Sequence, residues 1–393
     1  MQMPVVIDAL RTPMGRGRAG GILSSVHPVD LLAQVLRALV ERNGIDPARV
    51  DDVLVGCVSQ VGEQSATPGR MALLAAGFPV SVPSTTIDRK CGSGQQAVHF
   101  AAQGIMAGAY DIVIAGGVES MSRVPMGSAR IGADPFGSAV KERFAPGLVG
   151  QGVAAELVAA KWNLSRDELD AFSVRSHHAA AMAREAGGFR DEIVPIVTEA
   201  GIVREDETIR ADSSVEALAG LKTPFADAAL AERFPQIDWR ITAGNSSQIT
   251  DGAAALLMMS EATAARLGLV PRARFVGFDV CGDDPLLMLT APIASTRRAL
   301  SKAGMDVDGI DHFEINEAFA PVPLAWQKEL DADPARLNPR GGAIALGHPL
   351  GASGARLMTT MIHALVQTGG RYGLQSMCEA GGMANTTIIE NLQ

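Results

Sequence analysis

Short apolar runs alternate with longer amphipathic stretches along most of the chain. Residues 5–7, 53–55 and 112–115 are apolar and short, which predicts buried strands. Between the first two runs, residues 28–44 place leucine and valine at helical spacing, and Gly44 is a candidate for the end of that helix. Because strands alternate with helices, the pattern predicts an α/β fold with a mostly parallel sheet.

The chain also contains an internal repeat. The segment RALVERNGIDPARVDDVLVG matches RALSKAGMDVDGIDHFEIN with one deletion, and Val50 falls opposite Ile310, an offset of 310 − 50 = 260. The same offset relates the Ser-Gly pairs at 93–94 and 353–354, and DGAAALLMMS resembles GGMANTTIIE in pattern. The repeat predicts two α/β units of five strands each.

A long insertion interrupts the first unit. It is rich in glycine, alanine and charged residues, and Ser165 with Glu168 forms a capping box at the start of an amphipathic helix. The insertion is as consistent with a lid or an oligomer contact as with ligand binding. We therefore expect an N-terminal half of residues 1–120 and 250–269, an inserted loop domain of residues 121–249, and a C-terminal half of residues 270–393.

Composition and charge exclude several classes of protein. Hydrophobic residues make up 47% of the 393 residues and charged residues 20%, so the chain is not disordered. The net charge of −9 argues against nucleic acid or an anionic membrane as a partner of the whole surface, although a few amides and cations could hold one local anion. No apolar run approaches the ~20 residues of a membrane span, and the N-terminus shows no signal-peptide pattern.

Cysteine usage indicates a reducing compartment. The four cysteines, Cys57, Cys91, Cys281 and Cys378, form no C-x-x-C pair, which argues against metal knuckles and redox motifs. Four cysteines are also too few for a disulfide framework in a chain of this length. We therefore expect a cytoplasmic location and no metal, with Cys57 and Cys281 packed in the core.

Four short motifs carry the candidate chemistry. By the repeat, all four lie at helix N-termini or at the carboxyl ends of strands, where open α/β folds bind ligands. A cysteine at a helix N-terminus has its thiolate favoured by the helix dipole, although a lone cysteine is more often a core residue. The four together are more specific than any one of them: Cys91-Gly92-Ser93-Gly94, Gly347-His348-Pro349-Leu350-Gly351, Cys378-Glu379-Ala380-Gly381-Gly382 and Asn316-Glu317-Ala318-Phe319-Ala320.

The order and spacing of these motifs resemble the thiolase superfamily of acetyl-CoA acyltransferases over the whole chain. VIDALRTPMG, AGGVESMS, TAGNSSQITDGAAA and GGAIALGHPLGASGARL add to the resemblance. It implies a layered α-β-α-β-α sandwich made of the two units. It also implies thiolytic cleavage of a 3-oxoacyl-CoA by coenzyme A, or the reverse Claisen condensation, with no permanently bound cofactor, small-molecule acyl-CoA partners and a homodimer or homotetramer.

The resemblance assigns a role to each motif. Cys91 would carry the acyl group, and His348 would take its proton and later donate a hydrogen bond to an oxyanion. Cys378 would be the second acid/base, because a thiol pKa lies near working pH. Asn316 would hold a water at an enolate oxygen, and backbone amides at Cys91 and near Ala380 would form a second oxyanion hole.

Other positions concern coenzyme A and the acyl chain. Ser247 matches a serine near the pantetheine arm, and Lys222 stands where relatives often have an arginine near the nucleotide. Gln151 replaces the methionine that walls short-chain pockets, while Met288 and Phe319 remain candidate pocket residues. Together with the tail GGRYGLQSMCEAGGMANTTIIE, this favours a degradative thiolase for longer or ring-bearing acyl chains.

One departure from the family and three alternatives stay open. Ala380 replaces a glycine of the family pattern and would be strained if its φ were positive. A biosynthetic acetoacetyl-CoA thiolase is the nearest alternative. A ketosynthase-type condensing enzyme would pair its nucleophile with two histidines or with histidine and asparagine, and a non-catalytic lipid-binding protein would have lost one of the four catalytic residues.

Overall fold

The computed structural model describes residues 2–393 of the chain. Its strands are β1 (Pro4–Arg11), β2 (Gly15–Arg16), β3 (Asp52–Gly56), β4 (Ser84–Ile87), β5 (Ile112–Ser120), β6 (Ile196–Thr198), β7 (Gly201–Val203), β8 (Thr250–Ser260), β9 (Ala273–Gly282), β10 (His312–Ile315), β11 (Tyr372–Glu379) and β12 (Met383–Asn391). Its α-helices are α1 (Pro28–Arg42), α2 (Pro68–Ala75), α3 (Ser93–Met106), α4 (Gly137–Arg143), α5 (Gln151–Lys161), α6 (Arg166–Glu185), α7 (Val215–Ala219), α8 (Ala228–Arg233), α9 (Glu261–Leu267), α10 (Ala291–Ala303), α11 (Pro321–Leu330), α12 (Ala343–Leu346) and α13 (Leu350–Thr368).

One large sheet runs through both halves of the chain in the order β10-β11-β12-β9-β1-β8-β5-β3-β4, and β2 pairs with β8. Parallel pairing joins β10 to β11 and β3 to both β4 and β5. The remaining pairs are antiparallel, so the expectation of a mostly parallel sheet was wrong. Strand β12 follows β11 through a short turn, and a short turn can connect only antiparallel strands. Strand β8, which follows the insertion, pairs antiparallel with both β5 and β1.

The two halves have different numbers of strands. The first contributes β4, β3, β5, β8 and β1, as the repeat predicts, but the second contributes only β10, β11, β12 and β9. At the place of its fifth strand, Leu337 forms an isolated parallel bridge to Phe313. The chain then continues into the short helix α12. A single bridge therefore stands in place of a fifth strand at the edge of the second half.

Alternating side chains divide the core into layers. Val53 and Val55 pack with α1 and α2 on one face of the sheet, whereas Leu54 packs with α3 and α13 on the other. In the second half, Ile388 packs with α10 and α11, and its neighbour Ile389 joins the cluster around α3 and α13. Helices α3 and α13 therefore form a central layer between the two halves, which confirms the α-β-α-β-α sandwich.

Glycines let the two central helices approach the sheet closely. A Cβ at Gly117 would collide with the carbonyl oxygen of Gly351, and a Cβ at Gly94 would lie 2.8 Å from the same oxygen. A Cβ at Gly56 would lie 2.5 Å from the backbone nitrogen of Gly94. Only glycine, which has no Cβ, fits at these positions. The glycines therefore allow the N-termini of α3 and α13 to meet at one edge of the sheet.

Residues 121–249 contain α4 to α8 and the hairpin of β6 and β7. The capping box at the start of α6 is present, with Ser165 accepting from the backbone of Glu168 and Glu168 accepting from the backbone of Ser165. Helix α6 packs against α12 and helix α5 against α11, so the insertion lies against the second half. Within residues 2–393, every helix is too short or too polar to span a bilayer.

Candidate active site

The four motifs occupy one buried region at the edge where α3 and α13 begin. Cys91 precedes α3, His348 precedes α13, Cys378 lies near the end of β11, and Asn316 follows β10. Their exposed fractions are 5%, 4%, 1% and 1%, respectively. The Asn316 side-chain amide lies 3.9 Å from the Cys378 sulfur, and Cys91 packs with Leu350, two residues beyond His348.

Both thiols are protonated at neutral pH. Burial raises the pKa of the Cys91 thiol far above its usual range, the negative charge of a Cys378 thiolate raises it further, and the backbone N–H of Ala380 lowers it. Burial also raises the pKa of Cys378, to about 12, while hydrogen bonds from Asn316 and from the backbone of Ala318 lower it. Each thiol therefore needs a base before it can act as a nucleophile.

The imidazole of His348 is neutral and has one nitrogen without a protein partner in residues 2–393. Burial, together with the positive charge of Arg356, lowers its pKa to about 3, so the imidazole is neutral at pH 7. Its Nδ1 lies 2.6 Å from Ser353 Oγ, and Ser353 Oγ lies 2.9 Å from the carbonyl oxygen of Pro349. When the Ser353 hydroxyl donates its one hydrogen to that carbonyl, Nδ1 carries the imidazole hydrogen and Nε2 has a free lone pair. Nε2 has no protein partner in residues 2–393.

The structure resolves the conformation of Ala380. Ala380 is not among the residues with positive φ, whereas Gly381 and Gly382 have φ values of +96° and +77°. Alanine therefore sits at a position that it can adopt without strain, and both left-handed positions of the turn are occupied by glycine. The replacement leaves the Ala380 amide in place beside the Cys91 sulfur.

A cavity of about 240 Å³ reaches His348. Phe225 and Phe319 form one wall with their rings edge to face, 6.3 Å between centroids, and the backbone N–H of Ser247 donates to Ala318. A lining that combines apolar side chains with a few polar ones is typical of a small-molecule site. The lining residues are Met121, Met126, Gln151, Pro224, Phe225, Thr242, Ala243, Ser246, Ser247, Gln248, Ile249, Ala318, Phe319, His348 and Leu350.

Three of the five expected coenzyme A and pocket residues line this cavity, namely Gln151, Ser247 and Phe319. Met288 does not; it is buried in the apolar cluster that also contains Phe319. Lys222 is exposed and lies outside the lining, two residues before Pro224.

Sequence reasoning missed the structural importance of two buried glutamates, Glu119 and Glu379, which the repeat relates because 379 − 119 = 260. Glu119 accepts hydrogen bonds from the backbone N–H groups of Val58, Ser59 and Gly351 and from the side chain of Gln64, at 2.9–3.0 Å. It ties β5 to the first turn of α13. The signal was available in the sequence, because the repeat places both glutamates at the ends of equivalent strands.

Glu379 is equally buried but has no such partners. Neither carboxyl oxygen has a hydrogen-bond partner within residues 2–393, and a Cβ at Gly92 would collide with one of them. Burial raises the pKa of Glu379 to about 8, and the positive charge of Arg89 offsets part of that rise. The side chain is therefore a neutral acid at pH 7, held against the start of α3.

Replacing Glu379 with glutamine is expected to stabilise the protein more at pH 8 than at pH 5. Between an unfolded pKa of 4.5 and a folded pKa of about 8, the unfolded chain releases a proton that the folded chain retains, so stability falls as pH rises. Glutamine does not titrate, so the advantage of Glu379→Gln should grow by about 3 kcal/mol over this window. Urea denaturation at both pH values measures it.

Glu119→Gln is the matched control, because the repeat makes it the equivalent substitution. It replaces a carboxylate that accepts four hydrogen bonds and should lower stability by about 1–3 kcal/mol at both pH values. A Glu379→Gln advantage that does not change with pH would contradict a buried neutral carboxyl at this position.

Comparisons with known proteins agree with this geometry. A family model described as "Thiolase, N-terminal domain" matches residues 4–262, and one described as "Thiolase, C-terminal domain" matches residues 269–391. A steroid 3-ketoacyl-CoA thiolase of Mycobacterium tuberculosis is 50% identical over 98% of this chain and 94% of its own. A 3-oxoadipyl-CoA/3-oxo-5,6-dehydrosuberyl-CoA thiolase of Escherichia coli is 44% identical over the full length of both chains.

Among solved structures, the crystal structure of the Bacillus anthracis acetyl-CoA acetyltransferase superposes with a TM-score of 0.89. It shares 39% sequence identity and covers 100% of this chain and 99% of its own. The similarity therefore includes both halves and the insertion.

Proposed function

The chain belongs to the thiolase family, as its motifs suggested, and from that premise we propose how its own residues carry out the thiolase reaction and which acyl chains it takes. It is an acyltransferase that cleaves a 3-oxoacyl-CoA with coenzyme A to give acetyl-CoA and a shortened acyl-CoA. The observation that supports the assignment of roles is that Cys91, Cys378 and His348 are all buried at the edge where α3 and α13 begin, with His348 Nε2 lacking a protein partner in residues 2–393.

In the first half-reaction, His348 Nε2 takes the proton of Cys91, and the Cys91 sulfur attacks the 3-oxo carbon of the substrate. The bond between carbons 2 and 3 then breaks, which leaves the shortened acyl group on Cys91 and an acetyl-CoA enolate. Cys378 gives its proton to carbon 2 of that enolate. Asn316, whose Oδ1 is buried and without a protein partner in the described chain, holds a water at the enolate oxygen.

In the second half-reaction, Cys378 regains a proton from the coenzyme A thiol, and the resulting thiolate attacks the acyl group on Cys91. The bond from carbonyl carbon to Cys91 breaks, the shortened acyl-CoA leaves, and His348 returns the first proton to Cys91. Both attacks place negative charge on a carbonyl oxygen, which needs hydrogen-bond donors that are already in position.

The internal repeat supports a backbone site for that charge. The Gly351 N–H binds the Glu119 carboxylate, and its equivalent in the first half is the Cys91 N–H, because 351 − 260 = 91. Glu379, the equivalent of Glu119, takes no hydrogen bond there. The Glu119 carboxylate thus occupies the Gly351 amide. We infer that the equivalent amide of Cys91, together with the Ala380 amide, binds the oxyanion of the substrate instead.

We propose that the acyl chain is longer than four carbons and that the role is degradative. Gln151, the first residue of α5, lines the cavity with Phe225 and Phe319. By its resemblance to the family, it takes the place of a methionine of short-chain members. Two similar proteins, the steroid and 3-oxoadipyl-CoA thiolases, have names that describe larger acyl groups. Biosynthesis of acetoacetyl-CoA remains the second candidate, because an acetyl-CoA acetyltransferase is also similar.

We expect kcat/KM for thiolysis to rise from acetoacetyl-CoA to medium or bulky 3-oxoacyl-CoAs. Each buried CH₂ contributes roughly 0.8 kcal/mol and about 1.4 kcal/mol is tenfold, so three or four methylenes could raise kcat/KM about 100-fold. Gln151→Met should restore the wall and shift preference toward four carbons, whereas the control Gln151→Ala should keep the preference for longer chains. A flat or falling profile in the wild-type enzyme would favour the biosynthetic reaction.

Several further assignments stay predictions. We propose that Ser247 lies beside the pantetheine arm and that Lys222 reaches a phosphate of coenzyme A from the rim of the cavity. We also propose a homodimer or homotetramer in the cytoplasm, without a resident metal or cofactor; the four cysteines are all free and buried, which suits a reducing compartment. The domain bounds of the sequence analysis are likewise retained as a proposal.

A further inference from the structure

We propose that Arg16, Arg18 and Arg210 form a subsite that binds an anionic group of the substrate, and that this group is the terminal carboxylate of a 3-oxo dicarboxylic acyl-CoA. The inference rests on the proposed function, because it names the acyl chain that the same enzyme would cleave. None of the three arginines belongs to a motif that the catalytic mechanism uses.

The three arginines line a second cavity, of about 440 Å³, that adjoins the first. The two cavities share a wall made of Ala243 and the segment 246–249. His348, Phe225 and Pro224 line only the first cavity, and the arginines line only the second. A substrate group that extends from the first cavity past the segment 246–249 would therefore meet guanidinium groups rather than further apolar surface.

The arginines are carried on backbone that is fixed in place. The N–H of Gly17, between Arg16 and Arg18, donates to the Ile249 carbonyl at 2.8 Å. A Cβ at Gly17 would lie 2.7 Å from the Thr250 nitrogen, so this loop lies directly on the start of β8. On the other side, the N–H of Arg210 donates to His177 Nδ1 at 3.1 Å.

The acidic residues nearby leave positive charge on this rim. Glu207 lies 3.8 Å from Arg16 and also accepts the backbone N–H groups of Arg16 and Ile22. Both carboxylate oxygens of Asp206 accept hydrogen bonds from the Arg11 guanidinium, at 2.6 and 3.0 Å. In residues 2–393, no carboxylate lies within 4.0 Å of the Arg18 or Arg210 guanidinium, so two positive charges face the cavity in a chain whose net charge is −9.

A guanidinium presents paired N–H donors that match a carboxylate or a phosphate. Coenzyme A carries phosphates, but their proposed contact, Lys222, precedes Pro224 and Phe225, which line only the first cavity. Ser247, the proposed contact of the pantetheine arm, belongs to the shared wall, so the experiment below distinguishes a carboxylate of the acyl chain from a phosphate of coenzyme A. A 3-oxoadipyl chain, the substrate named for the similar Escherichia coli enzyme, ends in such a carboxylate.

The test compares 3-oxoadipyl-CoA with 3-oxohexanoyl-CoA, which have the same number of carbons and differ in ending with a carboxylate or a methyl group. The wild-type enzyme should have the higher kcat/KM for 3-oxoadipyl-CoA. The double variant Arg18→Gln/Arg210→Gln should lower that preference about tenfold, mainly through KM, because a charge-assisted hydrogen bond is lost. Arg204→Gln removes an exposed arginine outside both cavities and should leave the preference unchanged.

Three results would overturn the carboxylate subsite. One is an unchanged preference in the double variant, and another is a wild-type enzyme that prefers 3-oxohexanoyl-CoA. The third is an equal loss for both substrates that disappears with the corresponding pantetheine thioesters, which would identify the bound anion as a phosphate of coenzyme A. Failure of the proposed function is distinguishable, since the wild-type enzyme would then cleave neither thioester.

Discussion

Cys91→Ala is expected to lower thiolysis by at least about 10⁴-fold, because no other side chain in the site can carry the acyl group in its place. The neighbouring thiol of Cys378 is no substitute, since the side chain beside it is the Asn316 amide, which is not a base. The measurement is the loss of acetoacetyl-CoA in the presence of coenzyme A, followed by the absorbance of its enolate.

A covalent label tests the same assignment independently of turnover. Wild-type protein incubated with acetyl-CoA or a 3-oxoacyl-CoA should carry an acyl group on the peptide that contains Cys91, as peptide mass mapping can show. Cys281→Ala is the matched control, because it removes a buried thiol from β9, outside the site, and should retain both label and turnover. An acyl group on Cys378 alone, or none on an active protein, would refute the role of Cys91.

Cys378→Ala is expected to leave acylation of Cys91 intact while blocking proton transfer at the α-carbon of the acetyl group. Cys91 should still accept an acetyl group, because His348 and the Ala380 amide remain in place. Exchange of the α-protons of the bound acetyl group should be lost, and turnover should fall by about 10²–10⁴-fold, the usual contribution of a general acid/base.

Deuterium exchange from solvent into the acetyl group, read by mass spectrometry, measures this step directly. His348→Ala is the complementary variant and should slow acylation itself, since it removes the base that takes the Cys91 proton. If Cys378→Ala kept near-normal Claisen condensation, the second acid/base would be a different residue.

The sequence predicted much of the site because catalytic motifs follow the ends of strands and helices. The repeat offset of 260 relates the Ser-Gly pairs at 93–94 and 353–354, and Cys91 and His348 shortly precede these pairs. The structure brings both residues to one edge through the close approach of Gly94, Gly117 and Gly351. Helical periodicity also gave α1, which ends at Arg42, with Gly44 in the left-handed conformation at φ +61°.

Other features depend on contacts between distant residues and left no periodic signal. Arg18 and Arg210 lie far apart in the sequence, and only the folded chain places them on one cavity. Met288 is apolar enough for a pocket wall, but packing turns it into the cluster behind Phe319. The pattern also could not predict strand direction. An apolar run indicates that a strand is buried, but it does not indicate which strands pair or in which direction they run.

The central place of β1 has a consequence for how the chain is made. All eight residues of this strand are buried, and they pair with β8 and β9, so that Pro4 lies opposite Ser260 and Val6 opposite Ala273. The ribosome therefore releases β1 long before either neighbour has been synthesised. Until residue 273 has been synthesised, β1 lacks at least one of its two partner strands. An apolar strand with an unpaired edge promotes aggregation. Translation that stalls within the insertion would therefore leave this enzyme with its most central strand exposed.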